Sequence, residues 1–213
     1  MDGVKTMQIK TLTVGVIAAN CHVVWCEKTG EAVAIDPGGD GDKILSFIEQ
    51  NGLKLKYIIL THGHGDHIAA VDEVRNKTGA KVLIHPKDAP MLLDPNKNLS
   101  GFLGGAVKLA PADQEVVDGD EIIFGGEKLK VLHTPGHTLG SICLHGGDIL
   151  FSGDTLFFGS VGRVDFPGGS WEKLLKSIRE KIFTLPDDTQ VLPGHGPETT
   201  VGYEKEHNPF LRD

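Results

Sequence analysis

Four side chains able to bind a cation fall within six positions in the run Thr61-His62-Gly63-His64-Gly65-Asp66-His67. Three more follow in glycine-containing segments. His137 lies in His133-Thr134-Pro135-Gly136-His137-Thr138, Asp154 in Phe151-Ser152-Gly153-Asp154-Thr155, and His195 in Pro193-Gly194-His195-Gly196-Pro197. Neutral imidazole and carboxylate suit zinc and ferrous iron, and manganese accepts them too. His62 and His64, two residues apart, can point the same way from an extended loop. Asp66 and His67 can then turn toward a second position as the chain enters a helix. Asp154 can bridge two cations because a carboxylate has two oxygens. Two cations roughly 3.5–4 Å apart that share a hydroxide would give a nucleophile at neutral pH. A polar surface loop explains one His-x-His, but not this density followed by two glycine-flanked histidines and a glycine-flanked aspartate.

These residues need strands that end together, and the pattern around them supplies strands. Residues 8–14, 21–26 and 32–35 are short and rich in β-branched side chains. Asp36-Pro37-Gly38-Gly39 ends the third strand with turn residues. Ile44, Leu45, Phe47 and Ile48 then recur at helical spacing, and Asn51-Gly52 stops that helix. Residues 57–60 are an apolar run directly before the histidine motif. Residues 68–77 read as a helix closed by Thr78-Gly79, and 81–84 as a strand. Residues 94–110 lack periodicity and contain three glycines, which suits a binding loop. Strands follow at 121–124, 128–132, 141–144, 148–151 and 190–192, with a helix at 171–183 capped by Ser170. Two halves of strands plus helices imply an α/β protein with two mixed β-sheets face to face and helices outside.

Composition narrows the function classes. The chain has 213 residues, which favours one domain over residues 1–213. Its net charge of -8 argues against a general nucleic-acid binder, and two divalent cations would offset half of it. No segment reaches the ~20 apolar residues of a membrane span. Three cysteines, Cys21, Cys26 and Cys143, form no CxxC pair, so the natural setting is a reducing cytoplasm. The apolar stretch 14–19 is short and set too far in for a signal peptide.

The motif at residues 61–67 with His137, Asp154 and His195 resembles the ligand set of the metallo-β-lactamase superfamily, over nearly the whole chain. The resemblance implies an αββα sandwich with the site at one edge of the sheets. It implies His62, His64, His137 and bridging Asp154 on one cation, and Asp66, His67, His195 and Asp154 on the other. Asp36 resembles a carboxylate that orients a ligand imidazole, although a turn-forming role is also open.

Within the superfamily, Asp154 stands where many β-lactamases carry cysteine, which disfavours antibiotic hydrolysis. The segments Gly153-Asp154-Thr155-Leu156-Phe157, Gly162-Arg163-Val164-Asp165-Phe166-Pro167-Gly168-Gly169 and Pro193 to Pro197 are similar to short bacterial members of the glyoxalase II-like (hydroxyacylglutathione hydrolase-like) group. That likeness implies a thioesterase acting on a small-molecule thioester such as S-lactoylglutathione. It implies Asp66 and Asp154 as catalytic carboxylates and two divalent cations, zinc before iron or manganese. The implied chemistry is attack of a shared hydroxide on the thioester carbonyl. Arg163 could hold a substrate carboxylate or pair with Asp165. Persulfide dioxygenases offer the alternative, with one iron on His62, His137 and Asp154. A metal-bound sensor or binding module is a third reading. Phe102, Leu103, Phe157 and Phe158 are candidate walls of an apolar pocket, although phenylalanine is more often core, and His133 reads first as a structural histidine at a strand end, with a place beside the centre as the alternative.

Overall fold

A computed structural model describes residues 7–212. Chain order gives β1 (Met7–Val14), β2 (Ala19–Cys26), β3 (Glu31–Ile35), α1 (Gly41–Gln50), β4 (Lys54–Ile59), α2 (Gly65–Ile68), α3 (Val71–Thr78), β5 (Lys81–Ile84) and α4 (Ala89–Leu92). A 3-10 turn at Ser100–Leu103 precedes β6 (Gln114–Glu115), β7 (Glu121–Phe124), β8 (Glu127–His133), β9 (Ile142–Gly146), β10 (Ile149–Gly153), β11 (Leu156–Phe157) and β12 (Ser160–Val161). The chain closes with α5 (Trp171–Ser177), a π-helical turn at Ile178–Ile182, β13 (Gln190–Pro193), β14 (Thr199–Thr200) and α6 (Val201–His207).

One sheet has the order β1-β2-β3-β4-β5-β6 and the other β14-β13-β10-β9-β8-β7. Both are mixed. The first is antiparallel through β1, β2 and β3 and parallel from β3 onward. In the second, only β10 and β13 are parallel. Period-two alternation sorts the side chains into layers. Val24, Val33, Ile35, Ile59 and Leu83 from the first sheet meet Phe124, Val131, Leu144, Phe151 and Leu192 from the second. Their neighbours Val23, Ala34, Ile58 and Val82 face outward against Ile44, Ile48, Val71 and Val74 of the helices. On the far side, Leu132, Cys143, Leu150 and Val191 pack under Leu174, Ile178 and Ile182. Helix, sheet, sheet and helix thus stack as four layers, as expected.

Three details differ from the sequence reading. The helix expected at 68–77 is split, because Asp66 and His67 already lie in α2 and the Ala70 N–H is drawn to Pro37 O at 3.0 Å. The helix expected at 171–183 ends in the π-helical turn. The final α6 had no counterpart in the sequence reading; Thr200 caps it by accepting from Tyr203 N. Ser170 caps α5 as expected, accepting from Lys173 N. Cys21, Cys26 and Cys143 are buried and free. No helix among the described residues is long and apolar enough to cross a membrane.

Candidate metal centre

Strand direction brings the site together. β3, β4, β10 and β13 each end just before Asp36, the 61–67 motif, Asp154 and His195 respectively. β8 runs antiparallel to β9, which runs antiparallel to β10, so the segment carrying His137 leaves from the same edge. All seven sequence-predicted ligand-type residues meet there. Single ligand atoms of His62, His64 and His137 lie within 4.8 Å of one another, and so do those of Asp66, His67 and His195. Asp154 stands between these triads. Its Oδ1 is 3.4 Å from His67 Nε2, and its Oδ2 is 3.6 Å from His137 Nε2 and 3.8 Å from His195 Nε2.

The hydrogen bonds set which imidazole nitrogens face inward. Asp36 is an acceptor buried beneath the motif. It takes Thr61 N–H on Oδ1 at 2.7 Å, Thr61 Oγ1–H on Oδ2 at 2.5 Å and His67 Nδ1–H on Oδ2 at 3.0 Å. Because Thr61 Oγ1 donates to Asp36, it accepts from His62 Nδ1–H at 3.1 Å. His137 Nδ1–H donates to Arg163 O at 2.7 Å. His62, His67 and His137 therefore turn their Nε2 atoms toward the centre, the arrangement that ligand imidazoles use. Asp36 is oriented toward the imidazoles, as the resemblance implied, and it reaches one histidine of each triad.

These atoms fit a cation better than they fit each other. His62 Nε2 and Asp154 Oδ1 are buried without a hydrogen-bond partner. His64 Nδ1 faces His137 Nε2 at 2.9 Å, and His67 Nε2 faces His195 Nε2 at 3.3 Å. A Cβ on Gly194 would collide with Asp154 Oδ1 and lie 2.7 Å from His67 Cε1, so glycine there leaves the centre its room. Buried polar atoms in folded proteins are as a rule partnered.

Electrostatics agree. Burial pushes His62 and His64 down, His64 to about 3, so both are neutral ligands near neutral pH. Burial alone would raise Asp66 and Asp154, but the charge of His67 and neighbouring imidazoles holds both well below the usual carboxylate range. Burial would lower His67, yet the charges of Asp154 and Asp66 hold it well above its usual value. The acidic cluster thus favours positive charge at the position His67 Nε2 faces.

Asp88, to which the sequence reading gave no role, ties the motif to the His137 loop. Its buried carboxylate accepts from Gly63 N at 3.2 Å, Thr138 Oγ1 at 2.6 Å and Gly140 N at 2.7 Å. It lies 25 residues beyond Gly63 with no ligand-like spacing. His133 stacks on His85, centroids 4.1 Å apart, and belongs to the strand end rather than the centre.

The centre opens into a cavity of about 470 Å³ lined by Phe102, Leu103, Phe157 and Phe166. Phe158 is not part of this lining; it stacks on Tyr203 at 5.2 Å. The 94–110 loop does reach the cavity, through Asn98, Leu99, Phe102 and Leu103. Arg163 also lines it, with its guanidinium held by Asp165 through two bonds of 2.7 Å and laid over Phe166 at 3.9 Å.

Fold and site define a class of metal-dependent hydrolases. The chain belongs to the Metallo-beta-lactamase superfamily, whose family model matches residues 14–195. It is 43% identical over 208 residues to a probable metallo-hydrolase, YqgX, of Bacillus subtilis, covering 96% of this chain and 98% of that one. It is 35% identical to the hydroxyacylglutathione hydrolase GloC of Haemophilus influenzae, covering 96% and 98%. Among solved structures it resembles the BLEG-1 B3 metallo-beta-lactamase, with a TM-score of 0.93, 41% identity and coverage of 97% and 100%. It also resembles TTHA1623 in a di-iron-bound form, with a TM-score of 0.85, 36% identity and coverage of 95% and 100%.

Proposed function

We propose that the protein is a metal-dependent thioester hydrolase of the glyoxalase II-like kind, using two divalent cations and acting on a small-molecule thioester such as S-lactoylglutathione. The observation that carries this reading is Asp154 standing between two complete triads, with one oxygen toward His67 and the other toward His137 and His195. One cation would rest on His62, His64, His137 and Asp154, the other on Asp66, His67, His195 and Asp154. Zinc suits these ligands; iron and manganese accept the same set, and the di-iron form of TTHA1623 keeps iron in view. The cations, when bound, supply Lewis acidity toward the carbonyl and make hydroxide available at neutral pH.

The chain's own residues do the rest. Asp36 fixes His67 directly and His62 through Thr61, so the ligand atoms are set before substrate arrives. Asp66 or Asp154, both held ionised, would accept the one hydrogen bond of the attacking hydroxide and aim its lone pair. The apolar side chains of the cavity exclude bulk water from the carbonyl. A thiolate is a good leaving group, so no strong general acid is required. The likeness to GloC supports this reaction.

The test is metal content together with turnover. Two cations per chain and hydrolysis of S-lactoylglutathione are the expected result. One iron per chain with oxygen uptake dependent on glutathione persulfide would replace this reading with the dioxygenase one. The likeness to BLEG-1 favours a second assay, with a chromogenic β-lactam. Cleavage of that compound at rates above the thioester would assign the site to lactams instead.

A further inference from the structure

The walls beside the metal centre are aromatic, and they abut both triads. The Phe166 ring meets His64 edge-on at 5.7 Å between centroids. The Phe157 ring meets His195 in the same way at 6.3 Å. Ile17, Leu99, Phe102 and Leu103 extend this surface around the cavity. A carbonyl held at the centre would therefore carry its substituents along hydrocarbon. Phe102 is the clearest sign. It is 85% exposed, although it sits at the cavity and on a turn with glycines at 101, 104 and 105. With Ile17, also exposed and also in the lining, it makes an apolar patch at the pocket mouth rather than a lone exposed side chain, and such patches mark binding surfaces.

Charge is missing where a glutathione carrier would need it. Apart from the histidines of the centre, Arg163 is the single basic residue among the described lining residues, and Asp165 and Phe166 already hold it. Asn98 is also committed: its amide donates to Met91 O and Val107 O, and its oxygen accepts from Ser100 N. A second cavity of about 330 Å³ shares Ile17, Asp66 and Leu103 with the first. Its charged lining residues are Asp40 and Asp66, both acidic. Neither space offers a free cation for the two carboxylates of glutathione.

We propose that this site selects thioesters whose acyl group is an apolar hydrocarbon, linear or aryl-bearing, packed against Phe102, Phe157 and Phe166, on a thiol that brings no carboxylate into the cavity. This rests on the thioesterase reading and sharpens its substrate class. Burial against such walls raises affinity by about fourfold per methylene. Side-chain length on the acyl end is then the selectivity, with the short lactoyl group at its lower end and longer hydrocarbon acyl groups above it.

The test is calorimetric binding of non-hydrolysable thioethers to the metal-free and zinc-loaded protein. The probes are S-propyl-N-acetylcysteamine, S-hexyl-N-acetylcysteamine and S-hexylglutathione. Hexyl should bind at least tenfold tighter than propyl, and the glutathione derivative no tighter than the neutral one. Phe102→Ala, at an exposed position that the fold does not rest on, should remove most of the hexyl gain; Phe157→Ala should act in the same direction. Equal affinity for propyl and hexyl, or tenfold tighter binding of S-hexylglutathione, overturns the proposal. Hydrolysis of hexanoyl-N-acetylcysteamine and S-lactoylglutathione is measured in parallel. Hexyl selectivity with neither thioester cleaved would keep the apolar ligand class and remove the thioesterase reading.

Discussion

Asp36 shows how much one residue can organise. It is a non-glycine residue at φ 52°, held there by Ile59 O on its N–H and by three donors on its carboxylate. Asp36→Ala should weaken metal binding about 10- to 100-fold, read by chelator competition, because it frees one imidazole of each triad. Asp88 works from the opposite side of the motif. Asp88→Ala leaves Gly63 N–H and Gly140 N–H without partners and Thr138 O–H with Ser141 Oγ alone, and should cost about 3 kcal/mol in urea unfolding. His22 gives a pH signature away from the ligands. It is buried between Thr11 Oγ1 and Pro193 O, and burial pushes its imidazole down to about 4. The unfolded chain titrates near 6.5, so between pH 6.5 and 4 only the unfolded state takes this proton. The resulting stability is full above pH 6.5 and falls with pH by on the order of 3 kcal/mol at pH 4. His22→Gln should flatten the pH dependence of unfolding by about one proton across that window.

At the scale of elements, the site depends on backbones that approach closely. A Cβ on Gly38, in the turn after β3, would collide with Asp66 O at the start of α2. This contact sets α2 against the first sheet and breaks the helix expected at 68–77. Gly194 plays the matching part after β13. Gly194→Ala should keep the fold by circular dichroism yet lower the bound metal per chain, since the methyl would meet His67 Cε1 and Asp154. The sequence made most of this readable. Alternation revealed the strands, and dense histidines followed by glycine-flanked ligands revealed the centre, because strand ends are where such loops converge. Asp88 was illegible because its three bonds join segments far apart in sequence. Arg163 was legible as a cation with two candidate roles, and the geometry shows the pairing with Asp165. The π-helical turn and the split at Ala70 arise from packing and from Pro37 O, which no local propensity encodes.

Across the whole molecule, the two sheets share one buried layer and one metal centre, so cation binding and folding are linked. Zinc at 100 times its dissociation constant should stabilise the chain by about 2.7 kcal/mol, and chelation should remove that gain. For a chain this size the shift in melting temperature is about 5–10 °C, measurable by scanning calorimetry. The sheets are also stitched at one edge. Asn20 donates its N–H to Gly194 O at 2.7 Å and its amide to Pro193 O and Gly196 O at 3.0 Å. That seam joins the second strand to the last long one, and it gives the centre an order in time. As the chain leaves the ribosome, His62, His64 and His137 are complete well before His195 emerges. A newborn chain thus owns one full ligand triad while its second is still being translated, and Asn20 waits for residues 193–196 to close the seam.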